Sequence, residues 1–336
     1  MSDDHVTVQT VRGPVAADDL GLVLPHEHLL INEMREQRNI GLVNDVAMLT
    51  AELVGFKAAG GGTLVDVTTA SLVDGAEPDP AGAMTPGSRR AVRPAGNTRT
   101  ASSLAVLQQM SEASDVHIVV GAGQYREPYL DAEWVNRSTV GAIADQFISE
   151  VEEGIDGSGV RAGIIGEIAS DGWYVSALEE RCFRAAGRAQ AATGVAVTTH
   201  AARWPVGLAQ LDLLEAEGAD PSRVIVGHCD SLNMPDYHLA IARRGAFVEF
   251  DSIRGTNPAL VDLRVDFVMG LLDAGFIDQV LLSGDNCYTA HFHAGGGTGF
   301  DYLPTRFRQA LLDRGVDAAD VDRMMVDNPR RALTAS

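Results

Sequence analysis

Two histidines flank a glutamate in "LPHEHLL", as His26 and His28, directly after the apolar run "LGLVL". In an extended strand successive side chains point to opposite faces, so His26 and His28 share one face and Glu27 turns away. Two imidazoles so placed can grip one metal ion because their ring nitrogens converge. Such a pair also arises by chance as two polar residues that end a strand, so a metal site needs further ligands. Residues of the right type recur at matching places. Glu167 in "AGIIGEIASDG", His200 in "GVAVTTHAA", His228 in "VIVGHCD" and Asp285 in "VLLSGDNC" each close a short β-rich run. Any one of them could be a strand or helix cap; the six together form a coherent ligand set. Neutral imidazole suits zinc and other first-row divalent ions, and carboxylate oxygens bridge two of them. Two ions about 3.5–4 Å apart share a hydroxide, a nucleophile whose pKa the metals bring towards neutrality.

The elements that must position these residues follow a rhythm. Runs expected to be strands are "GLVLPH", "GTLVDVT", "HIVVGAG", "RAGIIGE", "VAVTTH", "VIVGH", "GAFVEFD" and "QVLLSGD". Amphipathic segments such as "NDVAMLTAELVGFKAAG", "ALEERCFRAAGRAQAAT" and "PVGLAQLDLLEAEG" fall between them, and several stop at glycine. Eight strands alternating with helices predict an α/β fold, a (β/α)₈ TIM barrel, over a doubly wound sheet, which usually has five or six. No linker divides the chain, so residues 1–336 are expected to form a single domain, with a short N-terminal β-hairpin around Gly13-Pro14. One segment breaks the rhythm: Leu72 to Asn97, after the second strand, is rich in Pro, Gly and Ala and carries Arg89, Arg90 and Arg93. At the C-terminal face of a barrel it would overhang the site, either as a lid on which Arg89, Arg90 or Arg93 meets an anionic group of the substrate or as a plain surface insertion.

Composition excludes several classes. The formal net charge of −20 argues against non-specific binding to nucleic acid or to an anionic membrane. No run approaches the length of a membrane span, and the N-terminus has no apolar signal core. Cys182, Cys229 and Cys287 make no disulfide framework, which fits a reducing, cytoplasmic setting.

The chain resembles the phosphotriesterase family of the amidohydrolase superfamily from about Val8 to Leu333. The resemblance rests on "LPHEHLL", "TLVDVTT", "GAGQYREPY", "AGIIGEI", "VTTHA", "VIVGHCD", "LLSGDN" and the closing "GGGTGFDYL…NPRRAL". It implies a barrel with a binuclear centre: His26, His28 and Asp285 on the more buried ion, His200 and His228 on the more exposed one, and the strand-four residue bridging both. Many members bridge with a carboxylated lysine. Here Glu167 stands at that place, and the only lysine, Lys57, falls on the first predicted helix. The chain is therefore closest to the glutamate-bridged, phosphotriesterase-related members.

By the same resemblance Asp285 is expected to shuttle a proton to the leaving group, and Tyr125 to orient the substrate. Arg254, in "FDSIRGT", is a candidate for a polar substrate group, with a solvated arginine as the alternative. His291 and His293 are read as loop or pocket-rim residues, and His5, His117 and His238 as surface or packing residues. The expected function is a metal-dependent hydrolase of a lactone, ester or amide, acting on a small molecule. Its cofactors would be two divalent ions, zinc first, with manganese, cobalt or iron as alternatives. The rivals are a phosphotriesterase and a non-catalytic ligand-binding barrel. The resemblance suggests a homodimer.

Overall fold

The computed structural model describes residues 6–76, 78, 93–170 and 172–334. Eight parallel strands run in chain order around a nearly closed barrel. They are β1 (Leu22–Glu27), β2 (Gly61–Asp66), β3 (His117–Ala122), β4 (Ile164–Ala169), β5 (Val197–His200), β6 (Val224–Gly227), β7 (Phe247–Phe250) and β8 (Val280–Leu282). Each falls within or across a predicted run. Helices α1 (Val46–Ala58) and α2 (Ala101–Ser114) follow β1 and β2. Helices α3 (Ala132–Arg137) and α4 (Val140–Glu152) follow β3. Then α5 (Ala177–Thr193), α6 (Gly207–Glu215), α7 (Pro235–Arg243) and α8 (Pro258–Asp273) follow β4 to β7 in turn. Helix α5 begins and ends where the sequence places it. Ser176 and Glu179 form a reciprocal cap at its start, and Gly194, at φ 73°, ends it in the left-handed conformation. Among the described residues no helix is long and apolar enough to cross a membrane.

The N-terminal hairpin pairs Thr7–Thr10 with Gly13–Ala16, and its turn is Val11-Arg12. Gly13 pairs with Thr10, so the predicted Gly13-Pro14 turn lies two residues too late. Val8 joins the apolar cluster inside the barrel with Val23, Val65, Val119, Ile164, Ile225, Phe247 and Leu281. Their strand neighbours Leu24, Leu64, Ile118, Ile165, Val226, Val248 and Leu282 belong instead to the larger cluster under the helices. This is the period-two division expected of a strand with both faces buried.

Two strands break that alternation where the candidate ligands begin. From Val23, strict alternation would turn Pro25 and Glu27 inward. The ladder to β2 shifts register between Leu24 and Glu27, and His26 and His28 reach the barrel mouth instead. In β4 a shift between Ile165 and Ile168 does the same for Glu167. Such irregularities re-aim side chains beside functional sites.

Glu27, turned away from the two histidines as predicted, joins the ends of the sheet. Its carboxylate accepts from Gly284 N at 2.7 Å, Asn286 N at 2.8 Å and Asn286 Nδ2 at 3.0 Å, with Ser283 Oγ at 3.0 Å. His26 N donates to Ser283 Oγ at 3.1 Å. The segment that carries Asp285 is thus tied to the segment that carries His26 and His28.

The stretch from Leu72 to Asn97 is described only near its ends. Arg93 is drawn to Asp74 at 3.3 Å and Asp131 at 3.9 Å, with its side chain 6 % exposed. This corrects the expectation that Arg93 is available to a substrate anion, because aspartates of its own chain engage it. Arg89 and Arg90 lie outside the described residues.

Helix α4 supplies a prediction about stability. Glu150 is buried, accepting from Thr98 N, Thr98 Oγ1 and Gln146 Nε2. Burial pushes its carboxyl up to about 7 from an ordinary 4.5. Between those values the folded chain holds a proton that the unfolded chain has released, so stability falls as pH rises through the window. Glu150→Gln imitates the protonated form. Its unfolding free energy should lack a decline of up to about 3 kcal/mol that wild type shows between pH 5 and 8. Denaturant titrations at both pH values check this; equal slopes in both proteins would remove Glu150 as the cause.

Candidate metal centre

The six predicted residues meet at the C-terminal mouth of the barrel. His26, His28 and Glu167 form one group whose ligand atoms all lie within 4.8 Å of one another, and Glu167, His200 and His228 form a second. Glu167 Oε2 is 2.9 Å from His200 Nδ1, 3.1 Å from His228 Nε2 and 3.4 Å from His26 Nε2, while Oε1 is 3.7 Å from His28 Nε2. Asp285 Oδ1 is 3.2 Å from His28 Nε2, although Asp285 belongs to neither group of three. Lys57, by contrast, sits on α1 and binds Asp115. His228 at φ 56° and Asp285 at φ 48° occupy the left-handed region, costing on the order of 1–3 kcal/mol each. His228 N donates to Asp251 Oδ2 at 2.7 Å, and Asp285 N donates to His26 O at 3.2 Å; these bonds hold both conformations.

The far side of each ring explains how it is aimed. His26 Nδ1 lies 3.0 Å from Glu249 Oε2, and His228 Nδ1 lies 2.7 Å from Asp251 Oδ1. Carboxylates accept only, so each Nδ1 carries the proton and each Nε2 presents a bare lone pair to the cluster. His28 Nδ1 reaches Thr68 Oγ1 at 2.9 Å, and that hydroxyl donates to Asp66 Oδ1 at 2.6 Å. Thr68 is therefore the acceptor for His28, and the fully buried Arg99 lies 2.7 Å from Asp66 Oδ2 behind it. His26, His228 and Asp251 form a third group, in which Asp251 lies 3.4 Å from His26 Nδ1 and 2.7 Å from His228 Nδ1. Asp251 thus positions the rings from behind.

Sequence reasoning missed Glu249, Asp251, Thr68 and Asp66. The first two were legible: in "GAFVEFD" they stand two apart on one face, the same signal that singled out His26 and His28.

The electrostatics call for cations. Burial opposes protonation of His26 and His228, yet the carboxylates around them outweigh it and raise both well above the ordinary histidine value. Burial would raise Glu167, but His26 and His200 hold it well below the usual carboxylate range. The buried atoms His26 Nε2 and Glu167 Oε1 have no hydrogen-bond partner. Paired rings with bare nitrogens, a shared carboxylate and two orphaned polar atoms fit divalent ions. Thr68→Val removes the acceptor that orients His28. It should weaken metal retention about 10–100-fold in chelator competition, with the barrel still folded; unchanged retention would deny the orienting role.

The cluster opens on a cavity of about 460 Å³. Tyr125 lines it, buried, with its hydroxyl 3.1 Å from His200 Nδ1. Arg254 also lines it, but its Nη1 donates to Asp285 O at 3.0 Å and lies 3.4 Å from Asp285 Oδ2. Arg254 therefore braces Asp285 at the cavity wall. Burial would raise the Asp285 carboxyl; His28 and Arg254 outweigh it and hold it below the usual range. Cys287 and Glu33 share this wall. His291 accepts from Cys287 N at 3.2 Å, and His293 is bound to Glu52 of α1 at 2.9 Å; neither belongs to a metal group. His238 packs on Phe250 and Phe267, and His117 lies beside Arg12. His5 falls outside the described residues.

The sequence profile of the phosphotriesterase family matches residues 6–77 and 83–333. A phosphotriesterase homology protein of Escherichia coli (strain K12) is 36 % identical over 246 residues, covering 73 % of this chain and 84 % of that one. Its crystal structure, with phosphate in the active site, superposes with a TM-score of 0.82 at 31 % identity, over 94 % of this chain and 100 % of that one. An N-acetyltaurine hydrolase of Salmo salar is 28 % identical over 370 residues, 97 % of each chain. A mutant organophosphorus hydrolase from Deinococcus radiodurans superposes with a TM-score of 0.76 at 29 % identity, over 98 % of each chain.

Proposed function

The chain belongs to the phosphotriesterase family of hydrolytic enzymes, and from that footing we propose that it cleaves a carboxyl-type bond, a lactone, ester or amide. Two divalent ions, zinc first among them, would be held by His26, His28, Glu167, His200, His228 and Asp285. The observation that carries this reading is Glu167, one buried carboxylate common to two three-residue groups. When bound, such a pair polarises the substrate oxygen and lowers the pKa of the attacking water.

The chain's own residues supply the rest. Asp285, at the cavity wall, accepts the proton released by water and returns it to the leaving group. Arg254 fixes the direction of that carboxylate. The Tyr125 hydroxyl, beside His200, donates to the substrate oxygen on the same side. Glu249, Asp251 and Thr68 keep His26, His228 and His28 in their binding tautomers. The likeness to the N-acetyltaurine hydrolase supports carbonyl chemistry.

The likeness to the organophosphorus hydrolase favours a second reading, the same site acting on phosphorus. Assay of zinc-, manganese- and cobalt-loaded protein against lactones, N-acyl amines, esters and aryl phosphotriesters separates the two. Carbonyl substrates should lead in kcat/KM by about a hundredfold or more. A phosphotriester in the lead would overturn the proposal, and no turnover at all would favour a binding barrel.

A further inference from the structure

Glu33 is a buried carboxyl in the cavity that neither metal group nor the Asp285 brace uses. Its backbone is held from several directions. Glu33 N donates to Gly41 O at 2.5 Å, and Glu33 O accepts from Gln37 N at 2.8 Å, Glu36 N at 3.0 Å and the Tyr129 hydroxyl at 2.8 Å. The closure needs glycine at 41, where a Cβ would stand 2.6 Å from Glu33 C. The side chain lines the cavity together with His28, Tyr125, Asp285, Cys287 and Tyr288. Its Oε2 is buried and has no hydrogen-bond partner. An acceptor stripped of water and left unpaired is costly, and such groups in folded proteins call for a specific explanation. The Tyr288 side chain supplies a hydrogen bond to the carboxyl, and Oε2 remains without one.

The wall that carries Glu33 also carries Asp285, the group that hands a proton to the leaving group in the reading above, on which this inference rests. The substrate atom nearest Glu33 is then on the leaving-group side. We propose that Glu33 is a specificity-determining residue that accepts a hydrogen bond from an N–H there, so that the preferred substrate is a secondary amide, an N-acyl derivative of a primary amine. Neutral or ionised, a carboxyl keeps an accepting oxygen for this bond. The oxygen of an ester, a lactone or a phosphotriester offers Oε2 only lone pairs, and two acceptors face to face repel. A site built to bond a donor rejects the analogue that lacks it more strongly than an apolar pocket rejects an altered shape.

The test compares a secondary N-acyl amide with its N-methylated counterpart, on zinc-loaded wild type, Glu33→Gln and Glu33→Leu, each checked for metal content and melting. In wild type the secondary amide should exceed the N-methyl amide in kcat/KM by about tenfold or more. Glu33→Leu should collapse that ratio to within about threefold, and Glu33→Gln, which keeps an accepting oxygen, should retain most of it. A wild-type ratio near one, or a ratio unchanged in Glu33→Leu, overturns the assignment while leaving amide hydrolysis in place. Loss of zinc from Glu33→Leu would make Glu33 a support of the metal centre and overturn it too. If wild type cleaves phosphotriesters and no carbonyl substrate, the underlying reading fails with it, and that failure shows in wild type before any variant is made.

Discussion

Glu167→Ala is expected to abolish turnover and to empty the metal centre together. Glu167 is the one residue common to both ligand groups, and its carboxylate lies within 3.4 Å of His26, His200 and His228. Removing it leaves two pairs of histidines with no shared anion between them. kcat/KM should fall at least about a thousandfold, equivalent to about 4 kcal/mol of transition-state stabilisation. Retained metal should drop in parallel, with the circular-dichroism spectrum unchanged. A variant that keeps its metal and loses less than about tenfold in rate would show that Glu167 is not the bridge.

Asp285→Asn carries the second large effect. The asparagine keeps the shape that Arg254 braces but cannot take up a proton. Hydrolysis of an alkyl ester or amide, whose leaving group must be protonated, should slow about 10²–10⁴-fold in kcat. An activated aryl ester, whose phenolate departs unaided, should slow by no more than about tenfold. The contrast between leaving groups separates proton transfer from mere loss of a ligand, which would slow both alike. Equal losses would move Asp285 from shuttle to ligand only.

Much of this site was legible before any coordinate. Alternating β-rich and amphipathic runs give eight strands and their helices, because the burial that shapes a barrel also sets the apolar period of each segment. His200 follows directly from that period, since Thr198 and His200 continue the inward face of β5. His26, His28 and Glu167 were picked by residue type and spacing, although strict alternation from Val23 or Ile164 would have turned them outward. The register shifts that bring them inward arise from pairing between strands and leave no local mark in the chain. The brace that Arg254 makes was hidden for a similar reason: its partner Asp285 is contributed by the next strand's loop, 31 residues later. Arg99 and Glu33 were invisible, because a buried arginine behind Asp66 and a carboxyl with one unpaired oxygen in the cavity wall are defined wholly by what folds around them.

The proposed centre has two ions sharing one carboxylate, and the count of bound metal tests it most directly. Protein purified without chelator and equilibrated with zinc should contain close to two ions per chain by elemental analysis. Under the same treatment Glu167→Ala should contain fewer than one. One ion or none in metal-replete wild type, or two ions retained without Glu167, would contradict the bridged centre.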